Sequence, residues 1–203
     1  MRQLWTADLH FGHANIIKYT NRPYPDVHTM NESLVYNWNR KVKSDDLVYI
    51  VGDFCFKNSK GGKEGEGLTN KPQYYIDRLN GIKVFVKGNH DRNNGLKTCI
   101  EKISIRHGNF HILMVHDPKN CDMNFPLHIC GHVHEKWKFN RAIEDSTGRI
   151  TDFINVGVDV NNFMPVTWEE IFREYKYWLK IHGFKLPNHN ISPYNEFNLT
   201  WIE

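Results

Sequence analysis

The stretch that decides the fold is Leu47-Val48-Tyr49-Ile50-Val51-Gly52-Asp53. Its five consecutive apolar residues, three of them β-branched, predict a buried β-strand. The carboxylate of Asp53 follows this strand across a single glycine, just past its carboxyl end. Ligands of α/β folds usually bind at that end of the strands, so the segment predicts both a sheet and one edge of a functional site.

The same placement recurs at four further apolar runs along the chain. Each run is followed within a few residues by polar side chains that can bind metal: Asp8 and His10 after residues 4–6, Asn89 and His90 after residues 84–86, His116 after residues 112–115, and His132 and His134 after residues 128–130. If the runs are adjacent strands of one sheet, these side chains converge in one crevice. Carboxylates, imidazoles and an amide without a thiolate suit Mn, Zn or Fe.

Composition is that of an ordinary soluble globular protein. The chain has 203 residues, of which 40% are hydrophobic and 24% are charged, and we predict one domain over residues 1–182 with a C-terminal tail over residues 183–203 that packs on the domain or on a partner. The net charge of +3 is too small to indicate nucleic-acid binding by itself. The N-terminal residues lack the apolar length of a signal peptide or a membrane span, which predicts a cytoplasmic protein.

Helical patterns flank the predicted strands. The spacing of Thr29 and Glu32 predicts a capping box that opens a helix to about residue 42, and Pro72 marks the first turn of a second helix. Thr167 and Glu170 predict a third helix, whose aromatic stripe to about residue 181 we interpret as core packing. Residues 57–67, rich in Gly, Lys and Glu, predict a surface loop. Alternating strands and helices predict an α/β fold.

Five short blocks, in this order, resemble the signature blocks of the calcineurin-like metallophosphoesterases. They are Asp8-Leu9-His10, Gly52-Asp53, Gly88-Asn89-His90-Asp91, His116 and Gly131-His132-Val133-His134. The resemblance covers about residues 4–160, and the segments 8–13 and 155–159 look like a small single-domain subgroup of bacteria and phages. It implies a four-layer α/β/β/α sandwich of the metallophosphoesterase type.

The resemblance also implies a centre of two divalent metal ions, with Mn²⁺ favoured and Zn²⁺, Fe²⁺/Fe³⁺ or Ni²⁺ as alternatives. By the resemblance, the ligands of the first ion are Asp8, His10 and His134, those of the second are Asn89, His116 and His132, and Asp53 bridges the two. The spacing of the paired ligands agrees with this assignment, because residues i and i+2 of an extended segment point to the same side.

The implied reaction is hydrolysis of a phosphoester by attack of metal-bound hydroxide. His90, which follows a ligand without being one, is the expected general acid for the leaving oxygen. A carboxylate partner of His90 is expected, and Asp91 is the nearest in sequence, although adjacent residues of an extended loop usually diverge. Substrate phosphate contacts are predicted at His13, Arg92 and Arg22; the structural alternatives are that His13 begins a helix and that the arginines are solvated in loops.

The sequence leaves the physiological substrate open. We favour a phosphodiester, such as a nucleotide, a cyclic nucleotide or a nucleic-acid end, over a small phosphomonoester. The residues Phe54-Cys55-Phe56 after Asp53 lack the Asp-Arg-Gly element of the protein phosphatases of this family, which argues against a phosphoprotein. A non-catalytic interaction module on the same fold is the alternative from another class, and a redox di-iron centre is weaker. No membrane association or obligate protein partner is indicated, and a homo-oligomer is left open.

Overall fold

A computed structural model describes residues 1–56, 68, 70–91 and 93–187 of the chain. In these ranges the strands are β1 (Gln3–Thr6), β2 (Leu47–Val51), β3 (Ile82–Val86), β4 (Lys102–His107), β5 (Phe110–Val115), β6 (Leu127–Cys130), β7 (Phe139–Ile143), β8 (Ile150–Asn155) and β9 (Val166–Thr167). The α-helices are α1 (Ile16–Tyr19), α2 (Val27–Lys41), α3 (Pro72–Ile76) and α4 (Trp168–Ile181). Among the described residues, no helix has the length and apolarity needed to cross a membrane.

The first sheet has the strand order β3-β2-β1-β9. Strands β1, β2 and β3 run parallel, and the short β9 pairs antiparallel with β1. Both faces of β2 are buried, which explains its unbroken apolar sequence. Val48 and Ile50 pack in a core with Leu34 and Trp38 of α2. The residues of β2 that point to the opposite face, Leu47, Tyr49 and Val51, pack in a second core.

The second sheet has the strand order β4-β5-β6-β8-β7. Its central strands β5, β6 and β8 are parallel, and β4 and β7 are antiparallel edge strands. The second core joins the two sheets and α4, with Trp5 from the first sheet, Met114 and Ile154 from the second sheet, and Trp168 and Tyr175 from the helix. The predicted α/β fold with two sheets and flanking helices is confirmed, as is the core role of the aromatic stripe of α4.

The starts of two helices test the capping predictions. Thr167 caps α4 and forms the predicted reciprocal capping box with Glu170. The prediction for α2 was wrong by one turn: the helix begins at Val27, and the side chain of Asp26 caps it by accepting a hydrogen bond from the backbone N–H of Thr29. Asp is as good an N-cap as Thr, so the spacing to Glu32 alone could not decide between the two.

Two further sequence predictions differ from the structure in their bounds. The apolar run over residues 153–158 predicts a strand there, whereas β8 covers residues 150–155. Strand β7 has no counterpart in the sequence predictions, because its partly exposed edge sequence lacks a clear apolar alternation. Past α4, Phe184 contacts the ring of Trp178 and the guanidinium of Arg141, so this part of the predicted tail packs on the domain. The predicted loop 57–67 and residues 188–203 lie outside the described residues.

The backbone at the strand ends is left-handed rather than extended. Among the predicted metal ligands, five have a positive φ between 50° and 71°: Asp8, His10, Asp53, His132 and His134. The argument from an extended i, i+2 alternation was therefore wrong in its geometry, although the paired side chains still reach a common centre. Non-glycine residues seldom adopt this conformation, and clusters of such residues are typical of functional sites.

Gly52 joins β2 to Asp53 at a point where the chain has no room for a side chain. Its φ is +86°, and a Cβ built on it would lie 2.3 Å from Nδ1 of His116. Gly148, in the turn between β7 and β8, has a φ of +69° and open space around the same position. The two glycines therefore share the conformational requirement but differ in packing.

We expect Gly52→Ala to destabilise the protein more than Gly148→Ala. The left-handed backbone alone costs about 1–2 kcal/mol for alanine, and overpacking against the His116 ring adds about 1–3 kcal/mol at position 52. Denaturant unfolding of the two variants beside the unsubstituted protein measures the difference. Equal losses of unfolding free energy would contradict the close packing around Gly52.

Candidate metal centre

The first group of side chains at the strand ends comprises Asp8, His10 and His134. One ligand atom from each residue lies within 4.8 Å of the others. Asp8 is fully buried, and its carboxylate accepts a hydrogen bond from the backbone N–H of His132. The rings of His10 and His134 stack with their centroids 5.2 Å apart. The three side chains predicted to hold the first ion are thus gathered at one point.

Asp53 lies at the middle of the cluster. Its Oδ2 atom is 3.3 Å from Nε2 of His116, 3.6 Å from Nε2 of His10 and 4.0 Å from Nε2 of His90. Its Oδ1 atom accepts a hydrogen bond from the backbone N–H of His90. One carboxylate therefore reaches a predicted ligand of each ion, which is the position that a bridging ligand requires. Asp8 also groups with Asp53 and His116, so both carboxylates lie between the two halves of the site.

The second group is formed by Asn89, His116 and His132. The side-chain oxygen of Asn89 lies 3.0 Å from Nε2 of His116 and 3.1 Å from Nδ1 of His132. The two imidazole rings meet edge to face with centroids 5.2 Å apart. The predicted ligands of the second ion are thus also neighbours. Asn89 is exposed, and 37% of the His132 side chain is accessible.

Burial and mutual contact determine the charges of these groups. Burial raises the pKa of Asp8 to about 6. Burial also favours the neutral form of Asp53, but the contact with His116 outweighs it and holds the pKa of Asp53 below its usual range. The same contact raises the pKa of His116 to about 9 against the opposing effect of burial. Burial lowers the pKa of His10 well below its usual value, so its imidazole is neutral.

His10 tests whether the cluster suits a metal ion. Its side chain is 2% exposed, and among the described residues neither ring nitrogen has a hydrogen-bond partner. Buried polar groups without partners are costly, and a neutral imidazole beside carboxylates is a common metal ligand. The donor set of imidazole nitrogens with carboxylate and amide oxygens fits a divalent ion such as Mn²⁺ or Zn²⁺.

Two of the predicted histidine ligands are oriented by a hydrogen bond at their second ring nitrogen, whereas Nε2 of His132 lies 3.8 Å from Asp117, too far for one. Nδ1 of His116 donates to the carbonyl of Val51 at 2.9 Å, and Nδ1 of His134 donates to Oδ2 of Asp159 at 2.9 Å. Such contacts fix the tautomer and leave the other nitrogen for a metal. Asp117 and Asp159 were not among the predicted site residues. The position of Asp159, four residues past β8, follows the same strand-end rule and could have identified it.

The side chains of the adjacent residues His90 and Asp91 point in different directions, as the sequence suggested. Asp91 is buried and accepts hydrogen bonds from the backbone N–H groups of Gly88, Asp53 and Phe54. The His90 side chain is 48% exposed and meets the ring of His10 edge to face at 5.6 Å. Asp91 therefore holds the loop in place, and the carboxylate nearest to the His90 ring is that of Asp53.

The three predicted phosphate contacts have different positions. His13 lies beside the centre, with its ring centroid 5.6 Å from that of His10. Arg22 is buried, and its guanidinium is occupied by Asp159 and two backbone carbonyls, so it is neither a phosphate clamp nor a solvated loop arginine. The prediction for Arg22 was wrong because its side chain is buried and its donors bind Asp159 and the carbonyls of Asp8 and Leu9. Arg92 lies outside the described residues.

Comparison with known proteins identifies relatives over most of the chain. The uncharacterized protein MJ1445 of Methanocaldococcus jannaschii is 34% identical over 180 residues, which cover 85% of this chain and 91% of that protein. The gene 66 protein of mycobacterium phage D29 is 33% identical over 94 residues, or 45% of this chain and 42% of the phage protein. No family model matches the chain.

Among solved structures, the protein of unknown function AQ665 from Aquifex aeolicus is similar in fold. It is 25% identical with a TM-score of 0.61, and the match covers 85% of this chain and 98% of that one. The identity to MJ1445 over 85% of this chain and 91% of that protein places the two in one family. The five ordered blocks and their convergence at the strand ends resemble those of the calcineurin-like metallophosphoesterases.

Proposed function

We propose that the protein is a metal-dependent phosphoesterase that hydrolyses phosphodiesters. The observation that carries the proposal is the position of Asp53, whose Oδ2 atom faces imidazole nitrogens of both ligand groups and of His90. Two divalent ions in this centre, with Mn²⁺ favoured, would supply a water-derived nucleophile at neutral pH and neutralise charge on the phosphate oxygens. The intact set of seven ligand positions favours catalysis over a non-catalytic interaction module.

The chain's own residues would bind the phosphate and supply a proton. We assign the general-acid role to His90, whose backbone N–H donates to Asp53 and whose half-exposed ring has Nε2 4.0 Å from Oδ2 of that carboxylate. The leaving oxygen of a phosphate bound by the metal ions would lie within reach of this ring. Asp91 keeps the loop rigid through its three backbone hydrogen bonds, which lowers the entropic cost of placing His90.

An aromatic cluster beside the centre supports a nucleotide-like diester over a small phosphomonoester. The ring of His13 stacks on Phe56 at 4.5 Å and meets Tyr19 edge to face at 6.1 Å. Tyr19 is 71% exposed, and the cluster joins the metal centre through the contact of His13 with His10. Nucleobases stack on exposed aromatic side chains largely irrespective of sequence. A phosphomonoesterase acting on a small substrate is the second candidate, and the cytoplasmic location and freedom from an obligate partner stay predictions.

The proposal predicts hydrolysis of bis-p-nitrophenyl phosphate that depends on metal. With Mn²⁺ added, we expect turnover of this diester to exceed that of p-nitrophenyl phosphate, and chelation with EDTA should abolish both. Release of p-nitrophenolate measures the rates, and elemental analysis measures the bound metal. Full metal occupancy without turnover of either ester would contradict the proposal and favour an interaction module, whereas faster turnover of the monoester would favour a phosphomonoesterase.

The general-acid role predicts that His90→Asn lowers kcat by about 10²–10⁴-fold while the bound metal is retained. The loss should be larger for a diester with an alkyl leaving group than for one with p-nitrophenolate, because p-nitrophenolate leaves as a stable anion without protonation. His182→Asn, on the exposed end of α4, serves as the control. An equal loss for the two leaving groups would contradict proton donation by His90 and indicate a role in binding.

The aromatic cluster predicts a selective effect of Tyr19→Ala. Stacking on a base contributes about 1–3 kcal/mol, so kcat/KM for the p-nitrophenyl ester of thymidine 5′-phosphate should fall by about 5- to 150-fold relative to that for methyl p-nitrophenyl phosphate. The two substrates share the leaving group, and the nucleoside of the first, with its base, is replaced by a methyl group in the second. Tyr36→Ala removes a tyrosine of similar exposure on α2 and should leave the ratio unchanged. An unchanged ratio in the Tyr19 variant would exclude stacking there.

A further inference from the structure

Arg22 is a fully buried arginine beneath the metal centre, and each of its nitrogens is hydrogen-bonded. Nε and Nη2 bind the two carboxylate oxygens of Asp159 at 2.8 and 3.0 Å. Nη2 also donates to the carbonyl of Asp8 at 2.7 Å, and Nη1 donates to the carbonyl of Leu9 at 3.0 Å and to Sδ of Met30 at 3.5 Å. These contacts account for all five N–H donors of the guanidinium, which leaves none for a substrate.

Asp159 links Arg22 to His134, the third member of the first ligand group. It is fully buried between Arg22 and His134, and its Oδ2 atom lies 2.9 Å from Nδ1 of that imidazole. Its Oδ1 atom also lies 3.3 Å from the hydroxyl of Thr20. Since the carboxylate can only accept, Nδ1 of His134 carries a proton, and in the neutral imidazole Nε2 is then unprotonated. This is the tautomer that can bind a metal through Nε2.

We infer that Arg22 and Asp159 are positioning residues that assemble the first metal site, an inference that rests on the metal centre proposed above. The guanidinium holds the backbone of the left-handed turn that presents Asp8 and His10, and through Asp159 it holds the ring of His134. All three members of the first ligand group are therefore connected through one side chain. Lysine, with a single ammonium, cannot reproduce the planar two-pronged contact and the two carbonyl contacts together.

Among the described residues, the second ligand group makes no direct contact with this pair. Nδ1 of His116 donates to the carbonyl of Val51, and Nε2 of His132 lies 3.8 Å from Asp117. The link between the two groups is indirect, because the carboxylate of Asp8 accepts a hydrogen bond from the backbone N–H of His132. Removing the pair should therefore weaken the binding of one Mn²⁺ equivalent and leave the affinity for the other unchanged. A general loss of folding would not produce this selectivity, which separates a positioning role from a merely structural one.

The test is Mn²⁺ binding to Arg22→Lys, measured by titration calorimetry of the full chain. We expect one equivalent to bind about 10- to 100-fold more weakly than in the unsubstituted protein, the range typical of partners that orient metal ligands, and the other equivalent to be unchanged. Arg141→Lys is the matched control: Arg141 forms an equivalent two-pronged pair with buried Asp152 at 2.6 and 2.8 Å, between β7 and β8. It should lower the melting temperature without changing either affinity.

Unchanged Mn²⁺ affinity of both equivalents in Arg22→Lys would overturn the inference, even if the melting temperature fell as in the control. Equal weakening of both equivalents would also overturn it. If Arg22→Lys does not fold, the same Mn²⁺ titration is made with Asp159→Asn. The asparagine side chain carries an N–H donor where the carboxylate only accepted, so it cannot bind both Arg22 and His134 as Asp159 does. Failure of the proposed function is a separate outcome: the unsubstituted protein would bind Mn²⁺ without hydrolysing either p-nitrophenyl ester.

Discussion

The burial of two carboxylates at the ends of neighbouring strands is the constraint on which the rest of the structure depends. Asp8 and Asp53 are no more than 1% exposed, and each follows a parallel strand of the first sheet. An isolated buried carboxylate is costly unless charges or hydrogen-bond donors surround it. Here the partners are backbone N–H groups and imidazoles that arrive from the second sheet, so the chemistry of the centre also governs how the two sheets meet.

The backbone adopts strained conformations to bring these groups together. Five predicted ligands occupy the left-handed region, which costs about 1–3 kcal/mol for each residue and persists only where surrounding contacts determine it. The contacts are present: the backbone N–H groups of Asp8 and His10 bond to the carbonyls of Gly52 and Asp53, and Arg22 holds the carbonyls on the other side of the turn. The two hydrophobic cores stabilise the fold and offset this local strain.

The sequence predicted the parts of the fold that depend on local pattern. The apolar run of β2 and the capping box of α4 were identified because each is encoded within a few adjacent residues. Strand β7 was missed because an edge strand needs apolar residues on one face at most, so its five residues carry little periodic signal. The convergence of the predicted ligands was expected because parallel strands place their carboxyl ends at one edge, a rule that needs no knowledge of side-chain contacts.

Contacts between residues distant in sequence could not be predicted in this way. Arg22 and Asp159 are 137 residues apart, and nothing near Arg22 in the sequence distinguishes a buried arginine from a solvated one or from a phosphate ligand. All three assignments use the same donors, and only the buried contacts of Arg22 with Asp159 and with the carbonyls of Asp8 and Leu9 select among them. The sequence after β8, by contrast, could have identified Asp159, because this residue follows its strand as the other site residues follow theirs.

In the loop after β3, the adjacent polar residues Asn89, His90 and Asp91 have three different environments. Gly88 passes so close to Asp53 that a Cβ on it would lie 2.2 Å from Oδ1 of that carboxylate. This close passage forces the chain to turn tightly, so successive side chains point in different directions. Asn89 turns toward His116, Asp91 turns inward to bind backbone N–H groups, and His90 is left on the open side. The exposed position of His90 is thus a consequence of the buried position of Asp91, and the proposed general-acid role of His90 depends on both.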